Sequence, residues 1–148
     1  MDKPFWPPEN YYRVSLKPLI FDDEGRLLVG RDEEDAWTML GGGWDHAEDY
    51  QSCLRREVAE ELGAKVISIG PMAFFYRCKA AQGQPKIAMA FPVKLQNFDF
   101  KLDPVEVLEA KFVTKEEFLQ LPFQEGEAPV QAYADQIWPL VEKNSENR

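Results

Sequence analysis

The stretch that decides the fold runs from Gly42 to Ala64 and reads GGWDHAEDYQSCLRREVAEELGA. Its opening glycines, together with the one before them, predict a close approach of the backbone to another group, or a positive φ. A helix is expected next, because Asp45 with Glu48 three residues later fits an N-terminal capping box and Gly63 fits the C-terminal stop. An apolar stripe recurs between these caps at helical spacing: Leu54, Val58 and Leu62.

Three glutamates of this helix, Glu57, Glu60 and Glu61, fall within an arc of about 100°. Like charges this close destabilise a helix by some tenths of a kcal/mol per pair, and the helix dipole disfavours anions in the last turns. A hard divalent cation removes both penalties, since Mg²⁺ prefers carboxylate oxygen. The alternative is a solvated acidic face, which is what acidic runs usually form.

The segments before and after this helix show the alternation of half-buried strands. Residues 12–21 form the first, a turn follows at 22–25, and a returning strand at 26–30 is expected to make a hairpin with the first. Pro18 predicts an edge or a bulge near its position. Further strands are expected at residues 65–69, 73–79, 86–95 and 110–113.

Two helices are predicted toward the C-terminus. Thr114 with Glu117 forms a second capping box and opens a short helix through Leu121. The last segment is expected to be an amphipathic helix, kinked or frayed at Pro139. Its apolar face comprises Val130, Tyr133, Ala134, Ile137 and Val141. The order of strands, helix, strands and helix predicts an α/β (α+β) fold in which a mixed sheet packs between helices.

Length and composition place the chain among globular proteins. Its 148 residues suit one domain, which we assign to residues 11–143, after an irregular proline-containing arm over residues 1–10. A hydrophobic fraction of 45% and a charged fraction of 29% are ordinary for such a domain. No apolar run approaches the roughly 20 residues that a membrane span needs. The N-terminus shows no signal-peptide pattern, so the expected compartment is the cytoplasm.

The net charge of −9 argues against binding to a large nucleic acid, because phosphate backbones are held by clusters of Lys and Arg. A small phosphorylated substrate remains compatible with this charge, since a bound divalent cation inverts the charge locally. Cys53 and Cys78 show neither metal-ligand spacing nor a redox motif, so we expect two buried thiols.

The stretch that begins with Gly42 matches the pattern G-x5-E-x7-R-E-U-x-E-E-x-G-U at all seven fixed positions, with Val58 and Ala64 at the aliphatic positions U. The chain therefore resembles the Nudix hydrolase family. The strand order resembles the rest of a Nudix domain, so the resemblance implies the family's α/β/α sandwich over nearly the whole chain. Departures occur at Leu40, where many members have proline, and at residues 45–47 within the variable spacer.

The resemblance implies hydrolysis of the diphosphate bond in a nucleoside diphosphate linked to another group. The three glutamates described above would ligate Mg²⁺ or Mn²⁺, together with the backbone carbonyl of Gly41. Arg56 and Glu48 would hold the helix and its preceding loop in position through a salt bridge. The attacking water would be oriented or deprotonated by Glu57 or Glu61, or by a glutamate outside the box. For the last role Glu106 is preferred over Glu109.

Substrate choice in this family is set outside the box. Arg31, Gly42 and Gly43 are predicted substrate contacts, and Lys17 is a further candidate phosphate contact. A nucleotide sugar, ADP-ribose, a dinucleoside polyphosphate and a damaged nucleoside triphosphate all remain open, whereas the acidic charge disfavours capped messenger RNA. The alternative function is a catalytically silent Nudix-like module that senses a nucleotide. A homodimer is an expectation by analogy with relatives only.

Overall fold

The computed structural model describes residues 10–33, 35–80 and 82–141. The arm expected over residues 1–10 lies outside these ranges except for Asn10. The strands and helices follow the chain in this order: β1 Arg13–Leu19, β2 Leu27–Glu33, β3 Ala36–Thr38, β4 Gly42–Gly43, α1 Tyr50–Leu62, β5 Val66–Ile69, β6 Phe74–Lys79, β7 Pro85–Leu95, β8 Glu109–Val113, α2 Lys115–Gln120, a 3₁₀ helix Ala128–Tyr133 and α3 Ala134–Ile137.

The strands form two sheets. The larger has the order β4-β1-β7-β5, with β6 also paired to β7. It is mixed, because β1 and β7 run parallel while the other pairs are antiparallel. The smaller sheet has the order β3-β2-β8 and is antiparallel throughout. The expected mixed sheet is therefore present, and a second sheet accompanies it.

The predicted hairpin between the first two strands is wrong, because β1 and β2 belong to different sheets. Within the described residues, the turn between them is closed by an isolated bridge between Phe21 and Leu27 and by backbone hydrogen bonds from the N–H of Leu28 to the carbonyl of Ile20 at 2.8 Å and from the N–H of Asp22 to the carbonyl of Arg26 at 3.0 Å. Consecutive apolar residues on both sides of this turn are buried, so the two strands continue into different sheets instead of forming one antiparallel ladder. At Pro18 the strand β1 pairs with β7 but not with the short β4, so one side is open there as expected.

The helix α1 begins later than the sequence predicts. It starts at Tyr50, and Asp49, not Asp45, is the N-cap, with its side chain accepting a backbone hydrogen bond from the first turn. The carboxylate of Glu48 accepts the N–H of Asp45 at 3.2 Å and closes a separate turn before the helix. The predicted end is confirmed, since Gly63 takes a left-handed φ of 62°.

The C-terminal segment differs from the predicted single helix. The capping box of Thr114 and Glu117 on α2 is confirmed. The next apolar segment forms a 3₁₀ helix followed by the four-residue α3, instead of one amphipathic α-helix. Pro129 occupies the start of the 3₁₀ helix, and Pro139 removes the N–H that would continue α3. The four-residue α3 therefore ends before Pro139, and residues 139–141 form a further short helical stretch.

Two apolar cores lie on opposite sides of the sheets. One packs the stripe of α1 against the larger sheet, and the other packs α2, the 3₁₀ helix and α3 against the opposite faces. This arrangement is the expected α/β/α sandwich. Cys53 and Cys78 are buried and free, as predicted. Within the described residues, no helix is both long enough and apolar enough to span a membrane.

Candidate active site

The helix α1 turns two of its three glutamates inward. Glu57 and Glu61 stand four residues apart and leave the same face of the helix. They are only 8% and 7% exposed, whereas Glu60 is exposed. Because the apolar stripe of α1 is buried in the core, the position of this pair is fixed relative to residues 41–43, which we call the glycine loop. The three glutamates are called the acidic cluster.

The glycine loop lies directly against the two buried carboxylates. The N–H of Gly41 donates a 2.7 Å hydrogen bond to Oε1 of Glu61. Gly41 has a φ of +107°, and a Cβ there would lie 2.0 Å from the carbonyl oxygen of Leu16, so only glycine fits. A Cβ on Gly42 would lie 2.5 Å from Oε1 of Glu57. The absence of side chains therefore lets the backbone approach both carboxylates.

Arg56 ties the loop before α1 to the helix. Its guanidinium forms a bidentate pair with Glu48, at 2.6 Å from Nη2 to Oε1 and 3.0 Å from Nε to Oε2. Nη2 also donates to the carbonyl of Gly43 at 3.2 Å, while Nη1 donates to Glu57 at 3.0 Å and to Glu60 at 3.3 Å. Hydrogen bonding to this guanidinium lowers the pKa of Glu48 to about 2. One side chain thus holds the loop and two members of the acidic cluster.

Burial leaves the inward carboxylates short of compensating charge. Removal from water raises the pKa of Glu57, and the guanidinium of Arg56 opposes this only in part. Burial also raises the pKa of Glu61 to about 8, against the hydrogen bond from the glycine loop. Glu57 and Glu106 raise it further, while Lys17 lowers it. The acidic cluster therefore concentrates negative charge that the surrounding residues neutralise incompletely.

The donor set of the acidic cluster fits a hard divalent cation. Mg²⁺ and Mn²⁺ prefer carboxylate oxygens, and either ion would remove the repulsion between these side chains. Within residues 10–33, 35–80 and 82–141, no group of three acidic, histidine or cysteine side chains is already placed to hold an ion. Hydrogen bonds from Arg56 and Gly41 occupy oxygens of all three glutamates, so a cation would have to replace some of these bonds.

The two candidate outlying glutamates have different surroundings. Glu106 is exposed, and its charge acts on both Glu57 and Glu61. Glu109 lies opposite Arg31 in the pairing of β8 with β2, with Oε2 at 2.8 Å from Nη2. The structure therefore places Glu106 near the acidic cluster and engages Glu109 with Arg31.

A cleft of about 270 Å³, called the polar cleft, opens beside the glycine loop. Three lining residues, Lys17, Lys86 and Glu127, carry the charges that we call the buried ion cluster. Nζ of Lys17 lies 3.9 Å from Oε2 of Glu127, and Lys86 donates to Oε1 of the same carboxylate. Burial lowers the pKa of Lys17, and Glu127 opposes the shift. Arg13, Asp32 and Gln124 also line the polar cleft.

Sequence reasoning found part of this cleft. Gly42 and Gly43 line it as predicted substrate contacts should, and so does Lys17, but Arg31 is absent from its described lining. Glu127 and Lys86 were missed, because only the tertiary fold brings them to Lys17. Gly126 precedes Glu127 in the chain, and in the fold a Cβ at this glycine would lie 2.3 Å from the carbonyl oxygen of Lys79. This close approach holds the loop that carries Glu127 against β6.

The comparisons with known proteins agree with this geometry. The NUDIX domain matches residues 12–134, which is most of the chain. The chain belongs to the NUDIX family. The matched residues contain the glycine loop, α1 and the whole buried ion cluster, so the site described above lies inside the NUDIX domain.

Curated relatives carry different names. The NAD-capped RNA hydrolase NudC of Deinococcus radiodurans is 33% identical over 103 residues, which cover 68% of this chain and 35% of that protein. The nucleoside triphosphatase NudI of Klebsiella pneumoniae is 37% identical over 70 residues, covering 42% of this chain and 49% of the relative. These alignments span between about a third and a half of the relatives' length, and the two names point to different substrates.

The fold is shared with solved structures. The MutT protein from Methanosarcina mazei Go1 superimposes with a TM-score of 0.71 at 23% identity, covering 93% of this chain and 99% of that one. At this identity the likeness concerns the fold alone.

Proposed function

We propose that this NUDIX chain hydrolyses the diphosphate bond of a small nucleoside diphosphate derivative and uses a divalent cation to do so. One observation carries the proposal: the two buried carboxylates of the acidic cluster and a cleft lined by lysine side chains meet at the glycine loop. Glu57 and Glu61 approach the loop from α1, whereas Lys17 and Lys86 line the cleft beside it. A cation on the first group and phosphate oxygens near the second would therefore be neighbours.

The acidic cluster and the carbonyl of Gly41 are the proposed ligands of Mg²⁺ or Mn²⁺. When bound, the ion would neutralise diphosphate charge and lower the pKa of the attacking water. Arg56 has a positioning role, because its bonds to Glu48 and to the carbonyl of Gly43 hold the loop at a set distance from α1. Gly42 leaves the space that the carboxylate of Glu57 needs.

The attacking water needs a proton acceptor. Its attack on phosphorus breaks the P–O–P linkage and yields two phosphate products, while its proton passes to a carboxylate. Glu106 is our candidate acceptor, since it is exposed and its charge acts on Glu57 and Glu61. General-base help of this kind contributes typically 10²–10⁴-fold. Glu109 is less suited because Arg31 already binds its carboxylate.

The size of the substrate follows from charge. A net charge of −9 opposes a long polyanion, whereas in the small cleft the three cations Arg13, Lys17 and Lys86 outnumber the two carboxylates, Asp32 and Glu127. A small nucleotide is therefore the proposed substrate. RNA is the competing substrate class, because the Deinococcus relative is named an NAD-capped RNA hydrolase.

The decisive experiment is a hydrolysis screen across nucleotide sugars, ADP-ribose, dinucleoside polyphosphates, nucleoside triphosphates and 5′-capped or triphosphorylated RNA. Each substrate is incubated with Mg²⁺, with Mn²⁺ and with EDTA, in water enriched in ¹⁸O. We expect cation-dependent turnover of a small nucleotide, with one ¹⁸O atom in one phosphate product. Glu116→Gln on the exposed start of α2 is the matched control for Glu61→Gln.

Three results would overturn parts of this proposal. Turnover that persists in EDTA would contradict the role of the acidic cluster in binding a cation. Faster turnover of RNA than of every small nucleotide would contradict the substrate class. Nucleotide binding without turnover under any condition would replace the hydrolase by the nucleotide-sensing alternative.

A further inference from the structure

The buried ion cluster contains a carboxylate oxygen without a hydrogen-bond donor. Lys86 donates to Oε1 of Glu127, but Oε2 has no hydrogen-bond partner within the described ranges. The Glu127 side chain is only 7% exposed, and Lys17 is 3.9 Å away, which is an ion-pair distance but too long for a hydrogen bond. A buried acceptor without a donor is unfavourable, so a group that donates to Oε2 would be bound favourably.

A hydroxyl group satisfies both partners at this position. The hydroxyl can donate a hydrogen bond to the carboxylate of Glu127 while its oxygen accepts one from the ammonium of Lys17. A single N–H group could only donate. Gln82, Gln84 and Gln124 also line the polar cleft; a side-chain amide carries both a donor and an acceptor, and that of Gln124 donates to Asp32. The lining is thus suited to several hydroxyl groups on one ring.

The polar cleft is poorly suited to a nucleobase. Proteins commonly hold an unpaired base by stacking it on an aromatic side chain. Among the described residues, none of those that line the polar cleft is aromatic. A wider hollow of about 780 Å³ adjoins the cleft, shares Ala80 and Gln124 with it, and contains the ring of Phe123. A base therefore has a better place in the hollow than in the cleft.

We infer that Glu127 and Lys17 read a hydroxyl group on the sugar ring next to the diphosphate, and that the chain discriminates against substrates that lack it. The inference rests on the proposed function, because the diphosphate is placed at the glycine loop that forms one wall of the cleft. The sugar is either the ribose of the nucleoside or a sugar in the group linked to it. Both present the same hydroxyl chemistry, and separate analogues distinguish them.

The test compares UDP-glucose with two analogues, 2′-deoxy-UDP-glucose and UDP-2-deoxyglucose, and compares ADP-ribose with its adenosine-2′-deoxy analogue. We expect the wild-type chain to prefer the hydroxyl-bearing partner of at least one pair by about tenfold or more in kcat/KM, mainly through KM. Glu127→Gln and Lys17→Gln should each reduce that preference to less than about threefold. Glu116→Gln, on α2, is the control and should leave the preference unchanged.

A ratio of substrates measured on one sample cancels any loss of folded protein, so the variants remain informative even if they are less stable. The dissociation constants of the same compounds, measured in EDTA, test the inference without turnover. If no compound is hydrolysed but these constants show the preference and its loss in Glu127→Gln, the proposed function fails and the hydroxyl site stands. Equal kinetics and equal binding within every pair would overturn the inferred hydroxyl site. In that case Oε2 of Glu127 would bind a water molecule and no substrate hydroxyl. A preference that survives both variants would also overturn it.

Discussion

Two groups of buried charge flank the glycine loop, and they are stabilised in different ways. In the buried ion cluster, Glu127 lies between two lysines, so the chain supplies charges of both signs. In the acidic cluster, Glu57 and Glu61 are buried with Arg56 and the more distant Lys17 as partial compensation. A set of carboxylates whose charge the fold leaves uncompensated marks the place where a cation from solution would bind. The charges of the buried ion cluster are therefore neutralised within the fold, whereas those of the acidic cluster need a bound cation.

The largest effect is expected from Glu61→Gln, which keeps the shape of the side chain and removes its charge. Loss of a cation ligand should lower kcat with Mg²⁺ by about 10³-fold or more, equivalent to about 4 kcal/mol in the barrier. Steady-state kinetics measures this, and Mn²⁺ titration followed by electron paramagnetic resonance should show weaker binding. Glu116→Gln should change neither quantity. Unchanged activity in Glu61→Gln would remove the basis for assigning the cation to the acidic cluster.

A second prediction concerns the two outlying glutamates. Glu106→Gln should lower kcat by about 10²-fold at saturating cation, because the proposed proton acceptor is lost. Glu109→Gln should change kcat by less than about threefold, since it removes a half-exposed partner of Arg31. Steady-state kinetics of both variants at saturating cation measures the two losses. Equal losses in the two variants would contradict the assignment.

The local parts of this site could be predicted from sequence. The end of α1 at Gly63 and its buried apolar stripe depend on contacts within a few turns, and both are as expected. The start of α1 was misplaced for a local reason as well. Asp45 and Asp49 are both good N-cap residues, and the choice depends on Glu48, whose carboxylate is held by Arg56. The spacing of the residues does not show whether Glu48 forms this ion pair or completes a capping box at the start of the helix.

The long-range parts could not be predicted in the same way. The assumed hairpin paired neighbours in sequence, whereas β1 pairs in parallel with β7 across much of the chain. That pairing sets Lys17 opposite Ala90, on the strand that carries Lys86 four residues earlier, and the loop after α2 brings Glu127 to both lysines. The apolar periodicity of the sequence does not indicate that these three segments are in contact. This is why the acidic cluster was visible in the sequence and the buried ion cluster was not.

The third prediction is that removing one carboxylate from each cluster changes stability in opposite directions. Without added cation, Glu61→Gln should raise the free energy of unfolding at pH 7, because the substitution removes a carboxyl group that is ionised in the unfolded chain and whose ionisation burial opposes in the folded chain. Glu127→Gln should lower it by about 1–3 kcal/mol, because Lys17 and Lys86 lose their common counter-ion. Urea unfolding in EDTA measures both. A change of the same sign in the two variants would show that the clusters do not differ as argued.

The last prediction concerns the pH dependence of stability in EDTA. An acid whose pKa is higher in the folded than in the unfolded chain holds more protons when folded, so stability is lost as the pH rises. For Glu61 the window runs from its ordinary value of 4.5 to about 8, with a slope of at most about 1.4 kcal/mol per pH unit. The lowered pKa of Glu48 affects stability outside this pH window, since its stabilisation is lost only as the pH falls from 4.5 toward about 2.

Urea unfolding between pH 5 and 8 should therefore show decreasing stability in the wild type, a flatter profile in Glu61→Gln, and a flatter wild-type profile with saturating Mg²⁺. Identical slopes for the wild type and Glu61→Gln would mean that Glu61 is not held in a buried, charge-poor position, and the contrast between the two clusters would fail.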